Sequence, residues 1–204
     1  MIAFLPVITA GLLTGLSLII AIGAQNAFVI RQGLTKQHVL LVVAICAASD
    51  ALAIVLGVSG LGAIIQGLPW LLEIIRWLGV AYLTWFGIKS VRSVFKDQSL
   101  DATGVQSGSA KKVAITVLGV TWLNPHFYLD TVILLGSIGN QFGTDKWWFA
   151  TGGIVGSFLW FFSIGFGAKA ASGLMKKPVF WKVLDSIIAV VMFSIAILLA
   201  VYKF

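Results

Sequence analysis

Long stretches without a charged side chain are the feature that most limits what this chain can fold into. No charged residue precedes Arg31, none lies from Trp147 to Ala168, and none lies from Ser186 to Tyr202. A helix needs about 20 apolar residues to cross a hydrocarbon core of about 30 Å. Charged residues make up 10% of the chain, against about 25% in soluble domains. The sequence therefore predicts an all-α, polytopic membrane protein.

The net charge of +7 does not point to a nucleic-acid partner. The Lys and Arg residues fall mostly in short loops between apolar runs, which is the usual topology signal of a membrane protein in contact with lipid. Cys46 is the single cysteine and lies inside an apolar run, so we interpret it as a packing residue. The first apolar run lacks a basic leader segment and is too long for a signal peptide, so we expect a retained helix.

Six transmembrane spans are predicted, at 4–30, 39–65, 69–93, 113–138, 147–169 and 183–203. A tight turn is expected from Gln66 to Pro69. The one clearly polar linker, residues 96–112, divides the chain into a first three-helix repeat (1–95) and a second (113–204).

The two halves resemble each other weakly. The first span of each has a polar interruption, at 23–26 and at 124–126, and the second span of each is rich in glycine. With three helices per unit, the second copy must enter the membrane from the opposite side. The pattern therefore predicts two inverted repeats, the arrangement in which many secondary transporters build a midplane site.

Orientation follows from the basic residues. With both termini outside, eleven of the fourteen Lys and Arg residues lie on the inner side, and only Arg76, Lys146 and Lys203 lie on the outer side. The positive-inside rule therefore predicts that both termini are external and that the linker is cytoplasmic.

Most of the seven acidic residues lie in loops or towards helix ends, but Asp50 and Asp130 lie well inside their predicted spans. A carboxylate at the bilayer centre costs about 2.5–3.5 kcal/mol, so it usually faces a partner or an aqueous cavity. Two interpretations follow. The pair either forms a cation site or proton relay, or simply joins helices through hydrogen bonds.

A polar cluster surrounds the second of these carboxylates. Asn124, Pro125, His126 and Tyr128 precede Asp130 within seven residues, and a proline inside a helix frees a backbone carbonyl. The first span has a similar pair, Gln25 and Asn26. Unwound backbone and buried amides of this kind can bind an amino acid, although a structural kink explains part of the pattern. Trp122 and Trp160 also lie deep, where cavity lining and packing are equally open.

Other chemistry finds no support in the sequence. There is no nucleotide-binding loop, no HExxH motif, no Cys/His metal cluster and no nucleophile–base pair. We therefore expect neither an enzyme nor a cofactor or metal ion. Gly11/Gly15 and Gly152/Gly156 have the spacing of close helix contacts, either within one chain or between the chains of a homodimer.

Four segments resemble the LysE/ArgO family of basic amino acid exporters. They cover most of the chain: Ile22–Gly33 (IGAQNAFVIRQG), Ala48–Asp50 (ASD), Trp77–Leu83 (WLGVAYL) and Thr121–Thr131 (TWLNPHFYLDT). One departure is Ala24, where the family commonly has proline. It leaves open whether the first span breaks sharply or only unwinds at Gly23.

The resemblance implies a bacterial inner-membrane exporter of lysine or arginine, driven by the proton gradient or the membrane potential. Asp50 and Asp130 would then bind the cationic side chain or exchange protons. Gln25, Asn26, Asn124 and a carbonyl freed by Pro125 would hold the amino and carboxyl groups. Two rivals stay open: an exporter of neutral amino acids such as threonine or homoserine, and a membrane scaffold that transports nothing.

Overall fold

A computed structural model describes residues 4–20, 23–61, 69–95, 109–172 and 178–201. These residues are almost entirely helical and contain no strand, which confirms the predicted all-α class. The predicted turn at 66–69 and the linker at 96–112 lie mostly outside the described residues. Ser109 is described, and its hydroxyl accepts a hydrogen bond from the backbone N–H of Lys112 at 3.3 Å, which caps the helix that follows the linker.

The helices follow one another along the chain with several breaks. The α-helices are α1 (Phe4–Ile19), α2 (Ala24–Thr35), α3 (Val39–Leu56), α4 (Pro69–Phe95), α5 (Ala110–Trp122), α6 (Pro125–Phe127), α7 (Leu135–Asn140), α8 (Lys146–Ala170) and α9 (Pro178–Val201). Two π-helical segments, π1 (Gly57–Leu61) and π2 (Tyr128–Leu134), extend α3 and join α6 to α7.

Three stretches in the described part of the chain are long and apolar enough to cross a membrane: Val39–Leu61, Gly143–Ala170 and Lys182–Val201. A fourth is reached if α1 and α2, whose axes differ by 83°, count as one span. The six predicted spans are therefore not confirmed. The expected first and fourth spans are not single helices, because the chain breaks between Ile19 and Ala24 and again at Asn124.

Glycines bring α1 and α8 into backbone contact. A Cβ on Gly11 would overlap the carbonyl oxygen of Phe149, and one on Gly152 would overlap that of Ile8. Small residues permit this approach, which gains dispersion contacts that lipid cannot replace. The two glycine pairs with close-contact spacing thus pack within one chain, on each other's helices.

A second glycine contact joins π1 to π2 and α7. A Cβ on Gly57 would overlap the backbone of Val132, and a Cβ on Gly136 would lie 2.6 Å from the carbonyl carbon of Gly57. The Asn140 amide also donates to the Gly57 carbonyl at 3.4 Å. The two contacts therefore tie the first half of the chain to the second at two places. The remaining long helices, α4 and α9, pack against each other.

We expect Gly152→Ala to destabilise the protein, because the added methyl group meets backbone that cannot move aside. The cost should be about 1–3 kcal/mol, as for other overpacked sites. Gly167→Ala on the same helix is the matched control, since no atom lies within 4 Å of its Cβ position. Thermal unfolding of the purified protein in detergent measures both variants. Equal midpoints would contradict the α1–α8 contact.

Candidate functional site

A cavity of about 220 Å³ lies where the breaks of the two halves meet. The break between α1 and α2, the second half of α3, the start of π2 and the middle of α8 all contribute to its wall. Its polar lining residues are Gln25, Asn26, Asp50, Asn124, His126, Asp130 and Thr131, and its apolar ones include Leu18, Ile19, Phe127, Phe161 and Ile195.

Six of the eight residues singled out from the sequence line this cavity. They come from both halves of the chain: Gln25, Asn26, Asp50, Asn124, His126 and Asp130. The other two, Pro125 and Tyr128, belong to the break beside it. Residues that lie about 100 positions apart in sequence are thus brought to one place.

Asp50 is the most deeply buried of the cavity's charged groups, with 2% of its surface exposed. The hydroxyl of Ser157 on α8 donates a hydrogen bond to its Oδ2 at 2.8 Å. Gln25 is near enough to interact with the carboxyl group, but its buried amide nitrogen has no partner with hydrogen-bond geometry in the described chain. Asp50 and Gln25 together therefore present a carboxylate and a side-chain amide to the cavity.

Asn26 has a different role from its neighbour. Its Nδ2 donates to the carbonyl of Ile19 at 2.8 Å, and its Oδ1 accepts from the indole Nε1 of Trp160 at 3.2 Å. The first bond satisfies a carbonyl at the end of α1, which has no partner within that helix. Gly23 is extended (φ −118°, ψ −177°), so the chain breaks here without the proline common in the family.

The second break is also closed by side chains. The Asn124 Oδ1 accepts from the backbone N–H of His126 at 3.2 Å, capping the helix that Pro125 begins. The Tyr128 hydroxyl donates to the carbonyl of Trp122 at 2.9 Å, and the N–H of Asn124 donates to that of Thr121 at 3.3 Å. The carbonyls of Trp122 and Thr121 thus each accept one hydrogen bond at this break.

Asp130 and His126 form the less buried side of the cavity. His126 is exposed and Asp130 is half-buried, and the two are close enough for their charges to interact. Asp130 lies in π2, and π-helical segments within α-helices often occur at functional sites. The cavity therefore has a deep carboxyl group, Asp50, and a shallower one, Asp130.

The side chains that position the polar groups were only partly predicted: Trp122 and Trp160 were named as deep residues, and Ser157 was missed. Ser157 and Trp160 lie three residues apart, on one face of α8, and bind Asp50 and Asn26. The Trp122 indole donates to Ser49, beside Asp50, at 3.1 Å. A serine in an apolar run gives no distinctive signal, and the depth of a tryptophan does not reveal its hydrogen-bond partner.

No group of three or more His, Cys, Asp or Glu side chains able to hold a metal ion occurs among the residues that the structure describes.

The family model and the relatives that match this chain agree with one another. The family model described as LysE type translocator matches residues 16–203. The arginine exporter protein ArgO of Klebsiella pneumoniae (strain 342) is 40% identical over 93% of this chain and 91% of its own length. The ArgO protein of Enterobacter sp. (strain 638) is 38% identical over the same shares. That of Pectobacterium carotovorum subsp. carotovorum (strain PC1) is 40% identical over 93% of this chain and 94% of its own. No solved structure matches the chain significantly.

We expect Asn26→Ala to destabilise the fold and Gln25→Ala to leave it nearly unchanged. Asn26→Ala leaves the Ile19 carbonyl and the Trp160 indole without partners, and each buried unsatisfied group costs about 1–3 kcal/mol. The amide nitrogen of Gln25 makes no such bond to the described residues, so less is lost. Thermal unfolding in detergent compares the two variants. A larger loss for Gln25→Ala would overturn these assignments.

Proposed function

The chain belongs to the LysE type translocator family, and from that premise we propose that it exports basic amino acids, arginine or lysine, through the cavity described above. The four sequence segments predicted this family. Family membership and the apolar helices together indicate that the protein is a multi-pass transporter of the inner membrane rather than an enzyme. The observation that carries the proposal is that two carboxylates from different halves line one cavity. The relatives named arginine exporter protein share about 40% of its residues.

The cavity suits a small cationic solute. Its volume of about 220 Å³ is below the 300–1,000 Å³ or so of pockets for drug-sized ligands, which fits a single amino acid. On our proposal, Asp50 or Asp130 binds the guanidinium or ammonium group, because a carboxylate accepts charge-assisted hydrogen bonds from either. The Gln25 amide then binds the amino acid's backbone groups. Asn26, Asn124 and Tyr128 act mainly by holding the breaks in shape.

Export of a cation needs an energy source. Moving one positive charge outward against an inside-negative potential costs about 2.3 kcal/mol per 100 mV. We propose that protons enter in exchange, neutralising the cavity carboxylates after the substrate leaves. The two carboxylates allow one to carry the substrate while the other carries the proton.

We further propose six spans in two inverted repeats. The pattern of helix contacts supports this: α1 and α2 pack on α8, α3 and π1 pack on π2 and α7, and α4 packs on α9. If the two halves are exchanged, the contact of α1 and α2 with α8 corresponds to the contact of π2 and α7 with α3 and π1. The contact between α4 and α9 corresponds to itself. The symmetry relates the two breaks, so both reach the cavity from opposite sides.

We expect Asp50→Asn and Asp130→Asn each to abolish export of radiolabelled arginine and lysine from loaded cells. Asparagine keeps the size of the side chain and removes its charge, so the protein should stay in the membrane at near-normal levels. Asp145→Asn is the control, because Asp145 is exposed and outside the cavity.

Different results favour the rivals. Undiminished export in either variant would remove that residue from the mechanism, and lost protein would favour a structural role. Efflux of threonine, but not of arginine, from the parent strain would favour a neutral substrate. No efflux of any of these amino acids would favour a scaffold.

Both termini are proposed to lie outside, with the basic end of the bundle in the cytoplasm. We expect Ser107→Cys to resist an impermeant thiol reagent in intact cells and Thr144→Cys to react, both in a Cys46→Ala background. Thr144 is exposed between α7 and α8 and avoids Gly143, whose φ of +57° disfavours a side chain. Reaction of Ser107→Cys in intact cells would reverse the orientation.

A further inference from the structure

An ion pair with a buried carboxylate links α2 of the first half to α9 of the second. The Arg31 Nη1 lies 3.0 Å from the Asp185 Oδ1, and 1% of the Asp185 side chain is exposed against 28% of the Arg31 side chain. Neither carboxylate oxygen of Asp185 makes an aligned hydrogen bond to the described residues. A carboxylate can accept two parallel hydrogen bonds from a guanidinium group. Asp185 therefore has more capacity for a guanidinium than Arg31 uses.

The pair lies between the cavity and the basic end of the bundle. Counting about 1.5 Å per residue, Arg31 is about 7.5 Å along α2 from Asn26, and Asp185 is about 15 Å along α9 from Ile195. Lys89 on α4 and Lys112 on α5 are both near this end, since Arg31 and Lys112 act electrostatically on Lys89. The pair thus lies close to these exposed cations.

A layer of buried apolar side chains, which we call the dry layer, lies between the pair and the cavity. Its side chains come from α2, α3, α5 and α9 and are at most 1% exposed: Val29, Val42, Val43, Val117, Ile188 and Met192. The cavity is therefore closed on the side of the ion pair.

We propose that the Arg31–Asp185 pair is the gate of the cavity at its basic end, and that the gate opens by exchange, when the cationic side chain of the substrate replaces Arg31 at Asp185. This inference rests on the proposed export of basic amino acids. The side chain of Arg31 and that of an arginine substrate carry the same guanidinium group, so each can pair with Asp185. Removing Arg31 without a replacement would leave an uncompensated buried carboxylate, which is strongly unfavourable.

Exchange gives the gate its selectivity. A guanidinium or ammonium compensates Asp185 as Arg31 moves away, whereas a neutral amino acid does not. The surrounding cations Lys89 and Lys112 do not exclude the substrate, because its carboxylate can face them while its side chain faces Asp185. Asp185 is therefore a specificity-determining residue that acts before the solute reaches Asp50.

The test uses a cysteine in the dry layer as a reporter. Val117→Cys in the Cys46→Ala chain is treated with an impermeant thiol reagent in membrane vesicles whose cytoplasmic face points outward. We expect slow labelling with the ion pair intact, and labelling about tenfold faster with added arginine, as expected when a minor open state becomes major. Citrulline, which replaces the guanidinium with a neutral group of similar shape, should have no effect.

Variants of the pair give a second readout. We expect Arg31→Gln/Asp185→Asn, which leaves no unpaired charge, to label fast without arginine and to lose the response to it. Lys182→Gln is the matched control: it removes an exposed cation one turn from Asp185 on α9 and should label as the parent does. The comparison of arginine with citrulline does not require any variant of the pair to fold.

Two outcomes would overturn the gate. One is equal labelling with arginine, with citrulline and with no solute; the other is slow labelling of the neutral double variant in a folded state. An arginine efflux assay on the same strains separates the two proposals. Export without arginine-dependent labelling rejects the gate alone, whereas the absence of export rejects the proposed function.

Discussion

Direct backbone contact between the halves, made possible by glycine, is the constraint on which the rest of the structure depends. Lipid gives no hydrophobic drive for one helix to bind another, so close packing has to supply the attraction. Gly11 with Gly152, and Gly57 with Gly136, place helices of the first half against helices of the second. Since both contacts cross between halves, they also bring the two helix breaks to a common centre. The cavity is a consequence of that crossing.

Breaking a helix inside a membrane exposes backbone groups that water cannot satisfy, and this requirement divides the polar cluster into two classes. Asn26, Asn124 and Tyr128 bind the backbone at the breaks, so their polarity is largely used by the fold. Among the described residues, Asp50, Asp130 and Gln25 show no such bond to the backbone at the breaks. Ser157 and Trp160 then fix one member of each class from a single face of α8. The residues that shape the site are thus distinct from those available to a solute.

The sequence predicted the parts of this arrangement that cost free energy to place inside a membrane. A carboxylate such as Asp50 within an uncharged run stands out because burying it is costly, and Asn124-Pro125 stands out because proline cannot continue a helix. The sequence did not decide whether the helix breaks before Ala24, because the proline common in the family is absent there. Gly23 and Asn26 form the break without it. Ser157 was missed because serine is ordinary in an apolar helix. The number of spans also depends on tertiary structure, because a broken span is not one apolar helix.

Arg31 and Asp185 illustrate what only three dimensions can add. In the sequence Arg31 indicates topology, and Asp185 is one acid near a helix end; their meeting across α2 and α9 is invisible there. On the proposed path, this pair and the cavity carboxylates place an acceptor for a cation at successive depths, first Asp185, then Asp50 and Asp130. At each of these positions a cation would have a counter-charge, which avoids the unpaired buried charge that is most unfavourable. The dry layer around Val117 is therefore the one region where the substrate has no carboxylate beside it, and crossing it requires the helices, rather than the solute alone, to move.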